Sequence, residues 1–356
     1  MAVSETITVT LHADAPHAMG EPVDVPRRIG HLRIGEAIGV GGSGAVYHGF
    51  DEALQRRVAV KVLLQRVPPG VDPSACDLIA GVRTAAGLRH PNIVGVYQIE
   101  LHERVPIIVM EHVDGPSLAQ MLAQRSRCAP ALARRLMRGI AAGVAALHEQ
   151  QLIHRDVKPA NVLFDRSGEP HVCDFGLACA THRPGAALDS GQRIAGTPLY
   201  MAPETFEGVV SAQSDVYGLG IMLFEMLAGG PPFRGDSITA LQTAHQQREL
   251  PYEQLSNLRL DPAWQETLER ATNKQRILRY KTATHFLRAL EALPAPGASE
   301  LSLQDEVARW VLETMRPGGA AAGARQAGPT AQNTFDLLRA RAAKKRDGRS
   351  EPPSDE

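Results

Sequence analysis

Two short segments of the chain carry the residue types that phosphoryl transfer needs. Residues 154–161 read HRDVKPAN, and Asp174 opens the triplet DFG soon afterwards. Phosphoryl transfer requires a carboxylate beside the attacking hydroxyl, which Asp156 provides, and oxygen ligands for Mg²⁺, which Asn161 and Asp174 provide. Lys158 adds positive charge beside the transferred group. A chance run of solvated charges would not hold these residue types in this order, so the four are the predicted catalytic residues, with Asn161 and Asp174 as metal ligands.

A glycine-rich segment earlier in the chain has the spacing of a phosphate-binding loop. Residues 39–46 read GVGGSGAV and fit the pattern G-x-G-x-x-G-x-V, in which the missing side chains let backbone N–H groups approach phosphate oxygens. Taken alone this signal is weak, because dinucleotide-binding folds share the spacing. Those folds need a helix straight after the glycines, whereas residues 45–50 have the pattern of a strand. The context therefore favours a glycine hairpin that lies over a nucleotide.

Lys61 ends the next alternating strand, which reads VAVK at residues 58–61. A cation on the buried side of such a strand would hold the α and β phosphates of ATP, and Lys61 joins the predicted catalytic residues on that ground. The alternative is a strand-end lysine that reaches into water. On its own the motif favours that alternative, and only the segments at 154–161 and 174 favour the phosphate role.

The bulk composition excludes several classes of partner. The net charge of −1 creates no overall attraction to nucleic acid or to anionic lipid, so no nucleic-acid partner is expected. No stretch approaches the ~18–20 apolar residues of a membrane span. The cysteines contain no C-x-x-C pair, which argues against a zinc site or a disulfide framework; they are Cys76, Cys128, Cys173 and Cys179. These features predict a cytoplasmic protein.

The hydrophobic pattern changes from strand to helix along the chain. Three short antiparallel strands are predicted between residues 31 and 63, whereas residues 129–151 and 214–228 have helical spacing. A strand-rich first part followed by a helix-rich second part predicts an α+β fold in two lobes.

Composition divides the chain into a main domain and two flanking segments. Residues 1–30 are predicted to be a flexible arm, in which the β-like run at 7–10 has no evident partner. The domain is expected over residues 31–293, and a C-terminal extension over 294–356. Breaks in periodicity rich in proline and glycine mark these boundaries.

The C-terminal extension is expected to contain one amphipathic helix over residues 302–315, followed by a disordered tail. Ser302 with Asp305 would form the capping box that starts this helix. We expect the helix to pack on its own domain, the alternative being that it binds a docking partner. The basic stretch at 339–349 is interpreted as part of a solvated tail.

Three further motifs complete the pattern of a known family. They are MAPE at 201–204, SDVYGLG at 214–220 on a predicted buried helix, and Arg279 near the end of the domain. Together with the motifs above, they make residues 34–293 resemble the bacterial eukaryotic-like (Hanks-type) serine/threonine protein kinases.

The resemblance implies the two-lobed protein kinase fold and its reaction. A small antiparallel-sheet N-lobe would cover about 31–111 and a helical C-lobe about 114–293, with an ATP cleft between them. ATP would be the phosphate donor and Mg²⁺ the metal, with Mn²⁺ as the alternative. Lysine two positions after Asp156 is the serine/threonine form, so Lys158 implies Ser and Thr hydroxyls of proteins as acceptors. Autophosphorylation is expected, and the protein substrates are not identified.

The resemblance also assigns the residues that bind the nucleotide. The backbone of Glu111 and Val113 would bind adenine, beside a gatekeeper at Met110, and Val46 and Ala59 would sandwich the ring. The full set is Ile38, Gly39, Val40, Gly41, Gly42, Ser43, Gly44, Ala45, Val46, Ala59, Lys61, Glu111 and Val113.

Structural pairings follow from the same resemblance. Glu204 would pair with Arg279, and Asp215 would brace the backbone of the loop that carries Asp156. Thr197 would lie beside Asp156 and Lys158.

One residue departs from the family pattern. The glutamate that pairs with the strand lysine should lie nine residues before His90, where this chain has Gly81. No glutamate occurs between Lys61 and Ile99. Asp77, one turn earlier, is a candidate substitute, but the interpretation that it caps or begins the helix is favoured slightly. Lys61 is therefore expected to lack its partner, which would impair its positioning.

This departure keeps two rival functions open. A nucleotide-binding pseudokinase, or a weakly active scaffold, is the first alternative to an active protein kinase. A small-molecule kinase is the second, because it would keep phosphoryl transfer and change only the acceptor.

A switch in the segment between Asp174 and Glu204 is also predicted. In relatives with an arginine at the position of Arg155, that arginine binds a phosphate on this segment, and Ser190 is the predicted phosphorylation site. Asp189 would supply part of the same negative charge without modification.

Overall fold

The computed structural model of the chain describes residues 6–9, 23–41, 44–63, 66–67, 69–70, 72, 77–174, 179–180, 197–294 and 299–316. Several predicted features lie outside these residues. They include the glycine-loop residues Gly42 and Ser43, the phosphorylation site Ser190 with Asp189, the phenylalanine and glycine after Asp174, and the tail beyond residue 316.

A six-stranded antiparallel sheet forms the N-terminal lobe. Its strands are β3 (Arg28–Ile29), β4 (Leu32–Gly41), β5 (Gly44–Asp51), β6 (Arg56–Leu63), β7 (Val96–His102) and β8 (Val105–Glu111), in the order β3-β4-β5-β6-β8-β7. Side chains alternate between the faces of a strand, so Val58, Val60 and Val62 share one apolar cluster. Ala59 and Lys61 are also buried, on the opposite face of β6.

The described residues of the N-terminal arm include two paired strands. Strand β1 (Thr6–Val9) pairs antiparallel with β2 (Val23–Pro26), so the prediction that the run at 7–10 has no partner is wrong. Aspartate and proline in β2 disfavour strand structure, which is why the local pattern did not reveal the pairing. The main sheet also begins earlier than predicted, since Arg28 of β3 pairs with Arg33.

Helices form the C-terminal lobe. Their bounds are α2 Leu118–Arg125, α3 Pro130–Glu149, α4 Ala212–Ala228, α5 Ile238–Gln247, α6 Pro262–Ala271 and α7 Ala283–Ala292, while α1 (Asp77–Ala86) belongs to the N-terminal lobe. Helix α4 is buried continuously from Ser214 to Phe224, because other elements of the lobe surround it. The predicted buried central helix is confirmed.

Short strands hold the loops that carry the candidate site. Strand β9 (Leu152–Ile153) pairs with β12 (Cys179–Ala180), and β10 (Val162–Phe164) pairs with β11 (Pro170–Val172). The HRDVKPAN segment connects β9 to β10, so its two ends are fixed by separate strand pairs. Asp174 lies two residues after the end of β11.

Helix α8 (Glu300–Met315) lies beyond the main domain and packs on the C-terminal lobe. Its buried face includes Val307 and Val311, both fully buried, and Trp310 at 6% exposure. The prediction that this helix packs on its own domain is thus confirmed. Its predicted start is wrong: Ser299, not Ser302, is the N-cap, and its side chain accepts a hydrogen bond from the Ser302 N–H.

The arrangement confirms the predicted α+β fold, with a curled antiparallel sheet in one lobe and helices in the other. Among the residues described, no helix combines the length and the apolar character needed to cross a bilayer.

Candidate active site

Asp156 lies at the centre of a hydrogen-bond network in the loop between β9 and β10. The Thr197 N–H and Oγ1 both donate to Asp156 Oδ1, at 3.0 and 2.9 Å. Lys158 Nζ lies 2.6 Å from Asp156 Oδ2 and donates to Thr197 Oγ1 at 2.7 Å. Asn161 Nδ2 donates to the backbone oxygen of Asp156 at 2.8 Å and to Oδ2 at 3.1 Å. These donors fix the orientation of the carboxylate.

A buried carboxylate on α4 holds the backbone of this loop. Asp215 accepts hydrogen bonds from the N–H groups of His154 and Arg155, at 2.8 and 2.9 Å. Arg155 has a φ of 71°, in the left-handed region, and the bond from its N–H to Asp215 supports that conformation. The predicted bracing role of Asp215 is confirmed by these contacts.

His148 of α3 supplies a third donor to Asp215, at 2.9 Å from Nε2. The N–H of Ala283 donates to His148 Nδ1, so Nε2 carries the proton that Asp215 accepts. Burial alone would raise the pKa of Asp215, but the hydrogen bond from the His148 side chain and the one from the His154 backbone outweigh it and lower the pKa below its ordinary value. Sequence analysis missed His148, because a histidine near a helix end carries no sign of a partner 67 residues away.

Lys61 forms an ion pair with Asp174. The lysine is 3% exposed and the aspartate about one third exposed, so the pair lies at the inner edge of the space between the lobes. Burial would raise the pKa of Asp174, but the charge and hydrogen bond of Lys61, followed by the charge of Lys158, outweigh it and lower the pKa. Lys61 lacks a glutamate partner in α1, as predicted, but the expectation that it is unpaired is wrong, because Asp174 is its partner.

Helix α1 begins at Asp77, as the favoured interpretation of that residue expects. Gly81 is buried in this helix. The side chain of Asp77 lies outside the described part of the chain, so its role as a substitute partner for Lys61 stays a prediction.

Asn161 and Asp174 have the donor chemistry of a divalent-cation site. Because Asn161 Nδ2 donates to Asp156, the amide oxygen is the atom that can ligate a cation. Asp174 is ionised under the influence of Lys61 and contributes an anionic oxygen. One neutral and one anionic oxygen suit a hard ion such as Mg²⁺. Asp174 also has a φ of 70°.

The described residues of the glycine loop border an open surface. Ile38 and Val40 are 49% and 63% exposed. Gly44 pairs with Leu63 of β6, and a Cβ at this position would lie 2.2 Å from the Val62 carbonyl oxygen. Only glycine permits this close approach of the strands.

The connection between the lobes begins at the end of β8. The Glu111 N–H donates to the Gly95 carbonyl at 2.8 Å, and the Glu111 side chain accepts from the Gly95 N–H at 3.1 Å. These bonds tie the segment to the start of β7. Val113 follows two residues later and is half-buried. Ala59 pairs with Met110 across the β6–β8 ladder.

The predicted pair of Glu204 with Arg279 is confirmed. Two Arg279 N–H groups donate to the two carboxylate oxygens of Glu204, each at 2.8 Å, and the arginine side chain is fully buried. Ser214 of α4 donates to the same carboxylate at 2.8 Å. The pair thus fixes the segment that starts at Thr197 against the helical lobe.

Tyr200 in that segment contacts a second buried acid that sequence analysis missed. Its hydroxyl donates to Glu225 of α4 at 2.7 Å. Burial raises the pKa of Glu225 to about 7, against the hydrogen bond from Tyr200 and the charge of Arg234, which lower it. A carboxylate inside a strongly apolar helix was the available signal, since such a group needs a donor nearby.

The protein kinase class is defined by a sheet lobe and a helical lobe, which are joined here at Glu111. The space between the lobes is bordered by Lys61, Asp156, Asn161 and Asp174. The sequence comparison agrees, since the model of the protein kinase domain matches residues 32–292. The chain belongs to the protein kinase family.

Named relatives lie among bacterial serine/threonine kinases. Serine/threonine-protein kinase PknB of Mycolicibacterium smegmatis is 37% identical over 262 residues, which are 71% of this chain and 41% of that protein. Serine/threonine-protein kinase PrkC of Bacillus subtilis is 34% identical over 256 residues, which are 71% of this chain and 39% of that protein. Serine/threonine-protein kinase PknL of Mycobacterium tuberculosis is 34% identical over 271 residues, which are 75% of this chain and 66% of that protein. The matched region thus spans about two fifths of the first two relatives. The predicted resemblance to this bacterial group is confirmed.

Proposed function

We propose that the chain is an active protein kinase that transfers the γ-phosphate of ATP to serine and threonine hydroxyls of proteins, including its own. One observation carries this proposal: Thr197, Lys158 and Asn161 all orient the Asp156 carboxylate. A scaffold that only bound nucleotide would have no use for a carboxylate fixed in this way. The serine/threonine preference rests on Lys158 and on the names of the relatives.

In the proposed reaction Asp156 orients the acceptor hydroxyl and takes its proton. Lys158 lies 2.6 Å from that carboxylate, where its charge would offset the negative charge that develops during transfer. Thr197 holds both groups in register. When ATP is bound, Lys61 would separate from Asp174. Lys61 would then hold the α and β phosphates of ATP.

Members of this family use ATP and a divalent metal ion. We propose Mg²⁺, with Mn²⁺ as the alternative, held by the Asn161 amide oxygen and the Asp174 carboxylate. The metal would bridge phosphate oxygens and neutralise their charge. Ile38, Val46, Ala59, Glu111 and Val113 remain the proposed contacts of the nucleotide base.

A weakly active, nucleotide-binding scaffold is the second candidate. Gly81 favours it, because no glutamate between Lys61 and Ile99 can form the expected ion pair. The ion pair of Lys61 with Asp174 weakens the case for the scaffold, since Lys61 is already held near the phosphate site. The cytoplasmic location remains a proposal from sequence. That the acceptors are proteins, which are not identified, is also a proposal. The buried apolar face of α8 gives no support to a free docking site there.

The test is phosphate transfer by the purified chain from labelled ATP with Mg²⁺, with and without a generic basic protein, followed by identification of the labelled amino acid. We expect labelled serine or threonine. Asp156→Asn should lower transfer by about 10² or more while ATP binding stays nearly intact.

Asp174→Asn is the companion variant and should lose Mg²⁺-dependent ATP binding together with activity. Wild-type rates in Asp156→Asn would refute the assigned role of Asp156. Nucleotide binding without transfer in the wild type would favour the scaffold, and labelling of small molecules alone would favour a small-molecule kinase.

A further inference from the structure

Helix α8 lies outside the region matched by the family model, which ends at residue 292, yet it is part of the main apolar core. Leu303, Val307, Trp310 and Val311 belong to the same cluster as Phe164 and Leu118 of the C-terminal lobe. Ion pairs of Arg125 with Glu306 and of Arg138 with Glu300 fix the helix on α2 and α3.

The first contact of interest joins Trp310 to β10. The Trp310 ring meets Phe164 edge to face, with centroids 5.8 Å apart and an interplanar angle of 87°, a geometry that stabilises aromatic pairs. Its Nε1–H donates to Gln124 Oε1 at 2.8 Å. Trp310 is therefore held in one orientation against a strand that begins directly after Asn161.

The second contact joins Val311 to the segment that leaves the hinge. A Cβ on Gly115 would lie 3.2 Å from Val311 Cγ1 and 2.1 Å from the Phe164 carbonyl oxygen. Glycine is thus needed for the backbone of residue 115 to lie between β10 and α8.

A third contact comes from the β10–β11 turn. Gly168 has a φ of 79°, and a Cβ there would lie 2.7 Å from the Ala308 N and 2.9 Å from the Gln304 carbonyl oxygen. The turn therefore meets the backbone of α8 as well as its side chains.

These contacts connect two parts of the nucleotide site. Gly115 is two residues after Val113, a proposed adenine contact, and Phe164 is three residues after Asn161, a proposed metal ligand. The Phe164 N–H donates to the Pro116 carbonyl at 2.9 Å, so the two segments are already joined side by side. Trp310 and Val311 cover this junction from outside.

We propose that α8 is a positioning element of the nucleotide site, which fixes the hinge exit against the strand after Asn161. This inference rests on the proposed nucleotide-binding function. Trp310 and Val311 touch neither ATP nor metal; they act through Phe164 and Gly115. A small displacement of either segment would misplace the groups that bind the base and the metal, and positional errors of this kind weaken function strongly.

The experiment uses the full chain with Trp310→Ala, Trp310→Phe and Leu312→Ala. Leu312 lies on the same helix but is 48% exposed, so its substitution controls for changes in α8 that leave the buried face intact. The readouts are the Kd for a fluorescent ATP analogue with Mg²⁺, the KM for ATP, kcat and the melting temperature.

Trp310→Ala should raise the Kd and KM by about three- to tenfold, with a smaller change in kcat. Trp310→Phe keeps an aromatic edge against Phe164 and should stay within about twofold of wild type, as should Leu312→Ala.

The inference is wrong if a folded Trp310→Ala protein binds the analogue as wild type does, or if Leu312→Ala weakens binding equally. Should Trp310→Ala fail to fold, Val311→Ala, which removes two methyl groups beside Gly115, carries the same expectation and the same refutation. A wild-type chain that transfers no phosphate would refute the proposed kinase activity, whereas the analogue Kd would still decide the role of α8.

Discussion

The buried pair of Arg279 with Glu204 gives the most demanding test of how the substrate-side segment is held. Arg279→Met removes two 2.8 Å bonds to Glu204 and a 2.6 Å bond to the Asn273 carbonyl. It also removes a guanidinium that lies 4.8 Å from the centre of the Tyr217 ring. The Glu204 carboxylate would remain, 14% exposed, with the Ser214 hydroxyl as its remaining donor among these groups.

Removing one partner of a buried ion pair costs about 3–5 kcal/mol of unfolding free energy, chiefly because the other charge is left without compensation. For a domain of this size each kcal/mol lowers the melting temperature by about 2–4 °C. Arg279→Met should therefore unfold about 6–20 °C below wild type. Glu204→Met combined with Arg279→Met should be more stable than Arg279→Met alone, because the uncompensated charge is gone.

Thermal unfolding followed by circular dichroism measures the effect, and Arg276→Met is the matched control. Arg276 is the same residue type three positions earlier and is exposed, so its substitution should change the melting temperature by less than about 2 °C. Three results would contradict this account of the pair. They are a melting temperature of Arg279→Met equal to that of wild type, an equally large decrease in Arg276→Met, or a double variant that melts at the lowest temperature of all.

Three other perturbations test separate features. Because burial raises the pKa of Glu225 from 4.5 to about 7, the folded state holds a proton that the unfolded state has released between these values, so stability should fall as pH rises through that window. Urea unfolding at pH 5 and pH 8 should show a smaller fall for Glu225→Gln, and an unchanged fall would contradict the assignment. Gly44→Ala places a Cβ 2.2 Å from the Val62 carbonyl oxygen, so the KM for ATP should rise. An unchanged KM would be evidence against the strand constraint. Gly81→Glu supplies the carboxylate that α1 lacks and should raise kcat/KM, by drawing Lys61 away from Asp174 and leaving that aspartate for the metal; an unchanged rate would mean that Lys61 is already well placed.

The groups around Asp156 could be predicted from sequence because the motif is local. Asp156, Lys158 and Asn161 lie within six residues of one another, and the chemistry they share restricts their arrangement. Lys61 was different. The sequence excludes a glutamate partner in α1, but its observed partner lies 113 residues further along the chain, and no local pattern indicates which carboxylate will approach.

Helix boundaries show a related limit. Ser299 and Ser302 both precede a run with helical spacing, and either serine could cap it. The structure begins α8 at Glu300 because the Ser299 side chain accepts from the Ser302 N–H at 3.2 Å. The pairing of β1 with β2 was not predictable for another reason, since the two strands are separated by residues that carry no hairpin signal.

The left-handed backbone at Arg155 and Asp174 has a consequence for how this enzyme family member can change. Each of these non-glycine residues sits at a φ near 70°, a conformation that costs on the order of 1–3 kcal/mol and persists only where the surroundings impose it. Glycine at either position would relieve that cost, but it would remove the Arg155 guanidinium or the Asp174 carboxylate. Selection for thermal stability and selection for function therefore act in opposite directions at these two positions. The Asp215 carboxylate, on the buried helix α4, accepts a hydrogen bond from the Arg155 N–H and so offsets part of the cost at Arg155.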